Sequence, residues 1–168
     1  MNRIEVRKDM RLGKIAPSRV PDCALASTYD NLEMWVDTEE TTYKVVYIAD
    51  ATTRDIVARV ALSRVRSRVW EVDMCSIDSK YQGFGIAPSL YYWIMLSLDI
   101  SLKAGYQQSP GGRGIWYDLA ALPEVSVLVR RRGSEFAFAE RDDEMREVCS
   151  DQFDCYEYET SEVIAVLN

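Results

Sequence analysis

"SIDSKYQGFGIAPSLYYWIM", Ser76 to Met95, joins two kinds of chain. Its first half is polar and carries Gly83 and Gly85, while its second half is apolar and aromatic. Leu90, Trp93, Ile94 and Leu98 recur at helical spacing, which predicts a buried helix over 87–98. Pro88 suits the first turn of that helix, where a missing N–H loses no partner. The stretch is therefore a strand end running through a glycine turn into a helix start. The first N–H groups of a helix have no internal acceptor and carry the positive end of its dipole. Glycines at that point permit positive φ and close approach of a ligand. Such a turn either accepts a phosphate or pyrophosphate or serves only to redirect the chain. No Gly-Lys-Ser/Thr ending follows, so it is not a Walker loop. It lacks the three spaced glycines of a dinucleotide fingerprint.

Upstream of the turn, three segments read as strands: Tyr43 to Ala49, Ile56 to Val65 and Val69 to Ile77. They are β-branched and aromatic, and short polar turns join them, so they predict an antiparallel meander. Downstream, Asp99 to Ala104 reads as a strand and Gly105 to Gly112 as a loop. Arg113 to Ala121 reads as a second helix ended by Pro123, and Val125 to Val129 as a strand. Phe136 to Ala139 extends or pairs with that strand, and the apolar "VIAVL" near the C-terminus is a candidate last strand. At the other end, Arg3 to Arg7 is a candidate short strand and Ser27 to Val36 a candidate short helix. The fold class predicted is a mixed α/β sheet: an antiparallel meander, then strand, helix, strand, helix, strand. The organisation expected is an N-terminal region over 1–42, a core over 43–133 and an acidic segment over 134–168.

The chain has 168 residues and a net charge of −7, which suits one domain. The charge is uneven. Ser134 to Asn168 holds eleven acids and two arginines, a net of −9, so residues 1–133 carry a net of +2. Without a strongly basic face, broad binding to nucleic acid is not expected. The chain has no histidine, which excludes a Ser–His triad, a His base and a Cys–His zinc site. Cys23, Cys75, Cys149 and Cys155 fit no zinc spacing, so no metal is expected. The charged stretch Met1 to Asp9 does not read as a signal peptide. No apolar run approaches membrane-spanning length, and free thiols fit a reduced, cytoplasmic setting.

Gln82-Gly83-Phe84-Gly85-Ile86-Ala87 resembles the Q/R-x-x-G-x-G/A motif of the GNAT N-acetyltransferases at every specified position. The resemblance covers roughly Tyr43 to Val129. It implies that the backbone of this loop, Gln82 to Ala87, binds the pyrophosphate of acetyl-coenzyme A as co-substrate. It also implies that the strand over Met74 to Ile77, which includes Cys75 and Ile77, splays from its neighbour and pairs with the pantetheine arm. A looser similarity links Gln108 to Ala120 with acetyltransferase-like proteins of tailed bacteriophages.

Acetyl transfer needs a base for the amine, a polarised thioester carbonyl and an acid for the leaving thiolate. Glu71 and Asp73 alternate with Trp70, Val72 and Met74 on the strand before the turn. The resemblance makes Glu71 the first candidate base and Asp73 the second; read as residues alone, both are charges on a solvated face. The family's usual Tyr position falls on Trp116. Tyr117 lies one residue away, about 100° around a helix. Either Tyr117 or Tyr106 substitutes as acid, solvent does the work, or the protein does not acetylate. Cys75 is a packing thiol or, less simply, an acyl acceptor. Arg130 to Arg132 either meets the coenzyme phosphates, pairs with the acidic tail or is a solvated strand end. Phe153, Tyr156 and Tyr158 interleave with acids in a segment that attracts a basic partner or covers the domain surface.

The expected function is acetyl-coenzyme A-dependent transfer to a primary amine, on a small molecule or a protein, without a membrane partner. The alternative is an inactive acetyltransferase-like phage protein that binds a phage or host protein. A homodimer is compatible with either, given the exposed sheet edges that such a fold leaves.

Overall fold

The computed structural model describes residues 23–37, 41–105, 108–131, 137–138 and 161–168. Among these, nine strands form one sheet: β1 (Cys23–Tyr29), β2 (Leu32–Asp37), β3 (Tyr43–Asp50), β4 (Ile56–Arg66), β5 (Val69–Ile77), β6 (Ser101–Lys103), β7 (Val125–Arg131), β8 (Ala137–Phe138) and β9 (Ser161–Leu167). Helix α1 (Ile86–Leu98) follows β5, and α2 (Pro110–Leu119) follows β6. The spatial order is β1-β2-β3-β4-β5-β6-β9-β7-β8. Only β5 and β6 pair in parallel; the other neighbours are antiparallel. This is the mixed α/β sheet expected, with the meander preceding strand, helix, strand, helix and strand.

Several boundaries differ from the sequence reading. Ser27 to Val36 is not a helix. It belongs to the β1–β2 hairpin, which turns at Asp30 and Asn31, with Asp30 at φ 52°. Leu32, Trp35 and Val36 have helical spacing, but Met34 and Val36 are the buried positions of an alternating strand. Helix α2 begins at Pro110, three residues earlier than expected. The Ser109 hydroxyl accepts from the Gly112 N–H at 3.1 Å, capping a turn that two glycines made look like loop. The "VIAVL" strand lies inside the sheet, between β6 and β7. The Phe136 to Ala139 segment contributes β8, paired with β7 through Leu128–Phe138 and Val129–Ala137. The Arg3 to Arg7 strand, Tyr106, Cys149, Cys155, Phe153, Tyr156 and Tyr158 lie outside the described residues.

Both helices pack on one face of the sheet. Leu90, Ile94 and Met95 of α1 and Ile115, Trp116 and Leu119 of α2 share a core with Met34, Ile48, Val60 and Leu102. Fully burying such a side chain contributes about 1.5–3 kcal/mol each, and Pro88, in the first turn of α1, removes no intrahelical hydrogen bond. The rings of Tyr91 and Trp116 meet edge to face at 5.8 Å, tying α1 to α2. The opposite face carries a smaller cluster of Val45, Tyr47 and Ile56. Among the described residues no helix is long and apolar enough to cross a membrane.

Strand β5 contains a bulge. Leu62 pairs with Val72 and Ala61 with Met74, so Asp73 is the extra residue. The bulge reverses the alternation after it. Trp70 and Val72 face the helices, and beyond the bulge Cys75 and Ile77 pack on that same core. Met74, expected to share a face with Trp70 and Val72, turns to the other side, where Arg59 Nη2 approaches its sulfur at 3.8 Å.

Candidate functional site

The parallel pairing of β5 with β6 is short. It joins Val69–Ser101, Trp70–Leu102 and Glu71–Lys103 and then stops. Beyond Glu71, β5 continues for six residues and, among the described residues, its ladder there is to β4 alone. After Lys103 the Ala104 N–H donates to the Val163 carbonyl of β9 at 2.9 Å, drawing the chain away from β5. Alternate backbone groups of an unpaired strand edge are free to bond an extended ligand.

The resulting V opens onto a cleft with two adjoining parts. The inner part, about 240 Å³, is bounded by Val72, Asp73, Gly105, Gln108 and Trp116, with Tyr91 beside them. The outer part, about 490 Å³, reaches from Ile77 to the glycine turn. Cys75, Ser109 and Gly112 line both. Together the two fall in the size range of small-molecule sites.

The outer part is built from two helix starts. Gly83 and Gly85 hold φ of +80° and +66°, in the left-handed region, and Gly85 is the N-cap of α1. A Cβ added at either glycine would meet nothing within 4 Å. The glycines are therefore needed for their φ, and the space beside them is open. The Gln82 amide donates to the Ile77 carbonyl at 2.7 Å, pinning the turn to the end of β5. Phe84 points outward, 78% exposed, and is absent from the cleft lining, unlike Gln82, Gly83, Gly85, Ile86 and Ala87. The N-terminal turn of α2, with Gly111 and Gly112, faces the same space. Neither helix has an acidic residue in its first turn. Two helix starts thus converge on one cleft, whose first-turn dipole ends fit an anion such as a pyrophosphate, although the Gly112 N–H is already bonded to Ser109 and Asp118 also lines the space.

The inner part places the candidate catalytic groups differently from the sequence ranking. Glu71 does not line the cleft. Its carboxylate is paired with the buried Lys103 ammonium at 2.7 Å, and Glu162 approaches the same ammonium at 3.8 Å. Asp73, pushed out by the bulge, lines the inner part and accepts from the Ser63 hydroxyl at 2.5 Å. Tyr117 lines neither part and packs at the edge of the core, as a one-residue rotation around α2 dictates. Trp116 is 2% exposed, and its indole N–H donates to Gln108 Oε1 at 2.9 Å. It is a core residue with its polar atom satisfied. Burial pushes the Cys75 thiol up to about 11, despite a hydrogen bond from Tyr91. That thiol is protonated at neutral pH, as expected of packing. Burial also drives the Tyr91 phenol well above its ordinary value. Backbone pairing sets Arg130 opposite Glu162 and Arg131 opposite Ser161 in the β7–β9 ladder. Among the described residues no group of three or more His, Cys, Asp or Glu is arranged to hold a metal.

Gly105, Ser109 and Gln108 carry much of this site, and the sequence reading left all three in a loop. The run Ser109-Pro110 is an N-cap followed by proline at the first helical position, a signal that marks the start of α2. Nothing in the sequence marks Gly105 as a contact.

No family model matches the sequence, and no curated protein matches it. Among solved structures, the chain is similar to the ribosomal-protein-S5-alanine acetyltransferase from Vibrio fischeri. The identity is 16% and the TM-score 0.37, over 76% of this chain and 62% of that one. The chain thus spans less than two thirds of that enzyme's length.

Proposed function

We propose that this chain is an N-acetyltransferase of GNAT type, which moves the acetyl group of acetyl-coenzyme A to a primary amine. One observation carries the reading. The parallel strands β5 and β6 separate after Glu71, and the cavity at that opening shares the wall of Cys75, Ser109 and Gly112 with the cavity that reaches the Gly83–Gly85 turn at the start of α1. An extended thioester ligand fits that path, with its diphosphate at the two helix starts and its thioester beside Asp73.

Asp73 is the base of this proposal. Its carboxylate takes a proton from the acceptor ammonium, and the freed amine nitrogen bonds to the thioester carbonyl carbon. The C–S bond then breaks, the acetyl group stays on nitrogen, and the second proton of that nitrogen passes through water to the leaving thiolate. Backbone N–H groups at the β5 edge polarise the carbonyl. Glu71 acts from behind, holding Lys103 and with it the last parallel pair before the split. Titration of the purified chain with acetyl-coenzyme A in a calorimeter tests the reading. Saturable binding with one ligand per chain is expected. No heat at about millimolar ligand, an affinity limit near −4 kcal/mol, overturns it.

A second reading rests on Trp116. The buried indole leaves no phenol at the family's acid position, which favours a binding-competent but inactive protein of the acetyltransferase fold, with a structural or host-interaction role in a phage. Coenzyme binding with no acetylation across a broad amine screen is the outcome that selects it.

A further inference from the structure

A second cavity lies on the other flank of α1. Its volume is about 540 Å³, again within the range of small-molecule sites. The β1–β2 hairpin forms one wall and α1 the other. Tyr29, Tyr81, Tyr92 and Trp93 line it. Its floor is the buried pair Val57 and Leu90, and its rim is Tyr29 and Leu96, 65% and 51% exposed. Tyr29 and Trp93 lie against each other with ring centroids 6.1 Å apart. The Trp93 indole N–H is spent on the Ser27 hydroxyl at 3.0 Å, which fixes the ring as a wall.

The charge of this cavity is one-sided. Among the described residues its only charged lining group is the Asp50 carboxylate; no Lys or Arg lines it. The Thr52 and Thr53 N–H groups donate to Asp50 Oδ1, each at 2.8 Å, and Asn31 donates to Oδ2 at 3.1 Å. The two backbone bonds foremost hold this carboxyl below the usual carboxylate range. It is therefore negative throughout the physiological pH range. Aromatic faces beside a fixed carboxylate attract an organic cation through the ring quadrupole and the charge together. The same arrangement repels an anion.

We propose that the groove between the β1–β2 hairpin and α1 binds a small organic ammonium ion with a flat apolar body. The body lies along Tyr92 and Trp93 above Val57 and Leu90, and the ammonium rests between Asp50 and the Tyr29 face. This site is separate from the β5–β6 cleft, whose helix starts favour an anion. Tyr81 and Ile86 form the shared wall between the two. The inference does not depend on acetyl transfer.

The test follows the Trp93 indole N–H by NMR in the full chain, titrated with three probes of one shape. These are phenethylamine, a cation at pH 7, the neutral 2-phenylethanol and the anion 3-phenylpropionate. The expected result is a saturable Trp93 shift, with the cation bound about tenfold more tightly than the alcohol and the anion weakest. Asp50→Asn keeps an acceptor for Thr52 and Thr53, and it should bring the cation to within about twofold of the alcohol. Leu96→Lys, at an exposed rim position, should weaken the cation and spare the alcohol. Equal affinities of the three probes for the wild-type chain overturn the proposal. So does an unmoved Trp93 signal at about 10 mM cation, an affinity too weak to be specific. If Asp50→Asn fails to fold, Leu96→Lys alone decides: a cation unaffected by the added charge also overturns it.

Discussion

Gly105 backs directly onto the carbonyl of Val72: a Cβ at Gly105 would lie 2.2 Å from the Val72 oxygen and 3.3 Å from its carbon. Val72 is the first residue of β5 beyond its pairing with β6. The contact therefore sits at the apex of the V, where the two strands are still close and about to part. A side chain there must push backbone, which does not yield as a side-chain tip does.

Gly105→Ala is accordingly predicted to destabilise the fold by about 1–3 kcal/mol, the usual cost of overpacking a tight interior. Gly114, inside α2 with nothing within 4 Å of an added Cβ, provides the contrast. Gly114→Ala should stabilise by about 0.5–1 kcal/mol through helix propensity. Urea unfolding of the two variants measures both, and midpoints that move in the same direction would rule out the apex contact as a constraint.

Gly85 is the opposite kind of glycine. Its surroundings are open but its φ is +66°. Gly85→Ala should cost about 1–2 kcal/mol in backbone strain alone, while Gly85→Asn, a residue that tolerates the left-handed region, should cost less. Gly85→Glu adds a carboxylate where two helix starts face the cleft. It should weaken acetyl-coenzyme A by at least about tenfold beyond the alanine variant, since the charge opposes the dipole ends. Calorimetry on all three separates the effects. Normal coenzyme binding by Gly85→Glu would remove this turn from the anion site.

The readable and unreadable parts of this chain divide on a physical line. The meander over Tyr43 to Ile77, helix α1 and the glycine turn each carry a strong local signal: β-branched and aromatic runs between polar turns, helical spacing, or glycine where φ must be positive. Ser27 to Val36 misleads because Leu32, Trp35 and Val36 satisfy a helical period, while the hairpin turn at Asp30 and Asn31 competes with it. The bulge at Asp73 is invisible because it exists only in the register between β4 and β5. That one residue moves Asp73 into the cleft and leaves Glu71 with Lys103. The ranking of the two acids therefore depends on pairing across strands, not on either residue's local sequence. Gly105 fails to signal for the same reason, since its partner Val72 is distant in sequence.

Glu71 and Asp73 should separate cleanly on substitution. Lys103 is buried, and Glu71 is its close partner at 2.7 Å. Glu71→Gln leaves that ammonium with Glu162, farther off at 3.8 Å, and should cost on the order of 3 kcal/mol in stability, as removing one member of a buried pair does. Asp73→Asn preserves an acceptor for Ser63 and should change stability by less than about 1 kcal/mol. Under the proposed mechanism it lowers turnover by about a hundredfold or more, the scale of a lost general base, without altering coenzyme affinity. Urea unfolding and single-turnover assays on an acceptor found by amine screening read the two effects. Loss of turnover in Glu71→Gln at full stability, with Asp73→Asn unchanged, would reverse the assignment.

The Cys75 thiol sets an alkaline limit. Its folded value is about 11 against 9.0 for the ordinary thiol, because burial disfavours the thiolate. Between those values the folded state holds a proton that the unfolded state has released. The contribution is thus intact below pH 9 and is lost as pH rises from 9 toward 11. By pH 10 the loss from this group is about 1.4 kcal/mol relative to pH 7, one unit of the difference. Tyr91, also raised by burial, acts in the same direction at higher pH. Cys75→Ala removes the thiol's share, so its stability should fall less steeply than the wild type between pH 8 and about 10. Urea midpoints across that interval measure it. In the native chain, iodoacetamide should spare Cys75 at pH 8 and begin to modify it only as the pH approaches 11, because the thiolate is the reacting species. Rapid alkylation of Cys75 at pH 8 in the folded protein would mean that the thiol is neither buried nor protonated there.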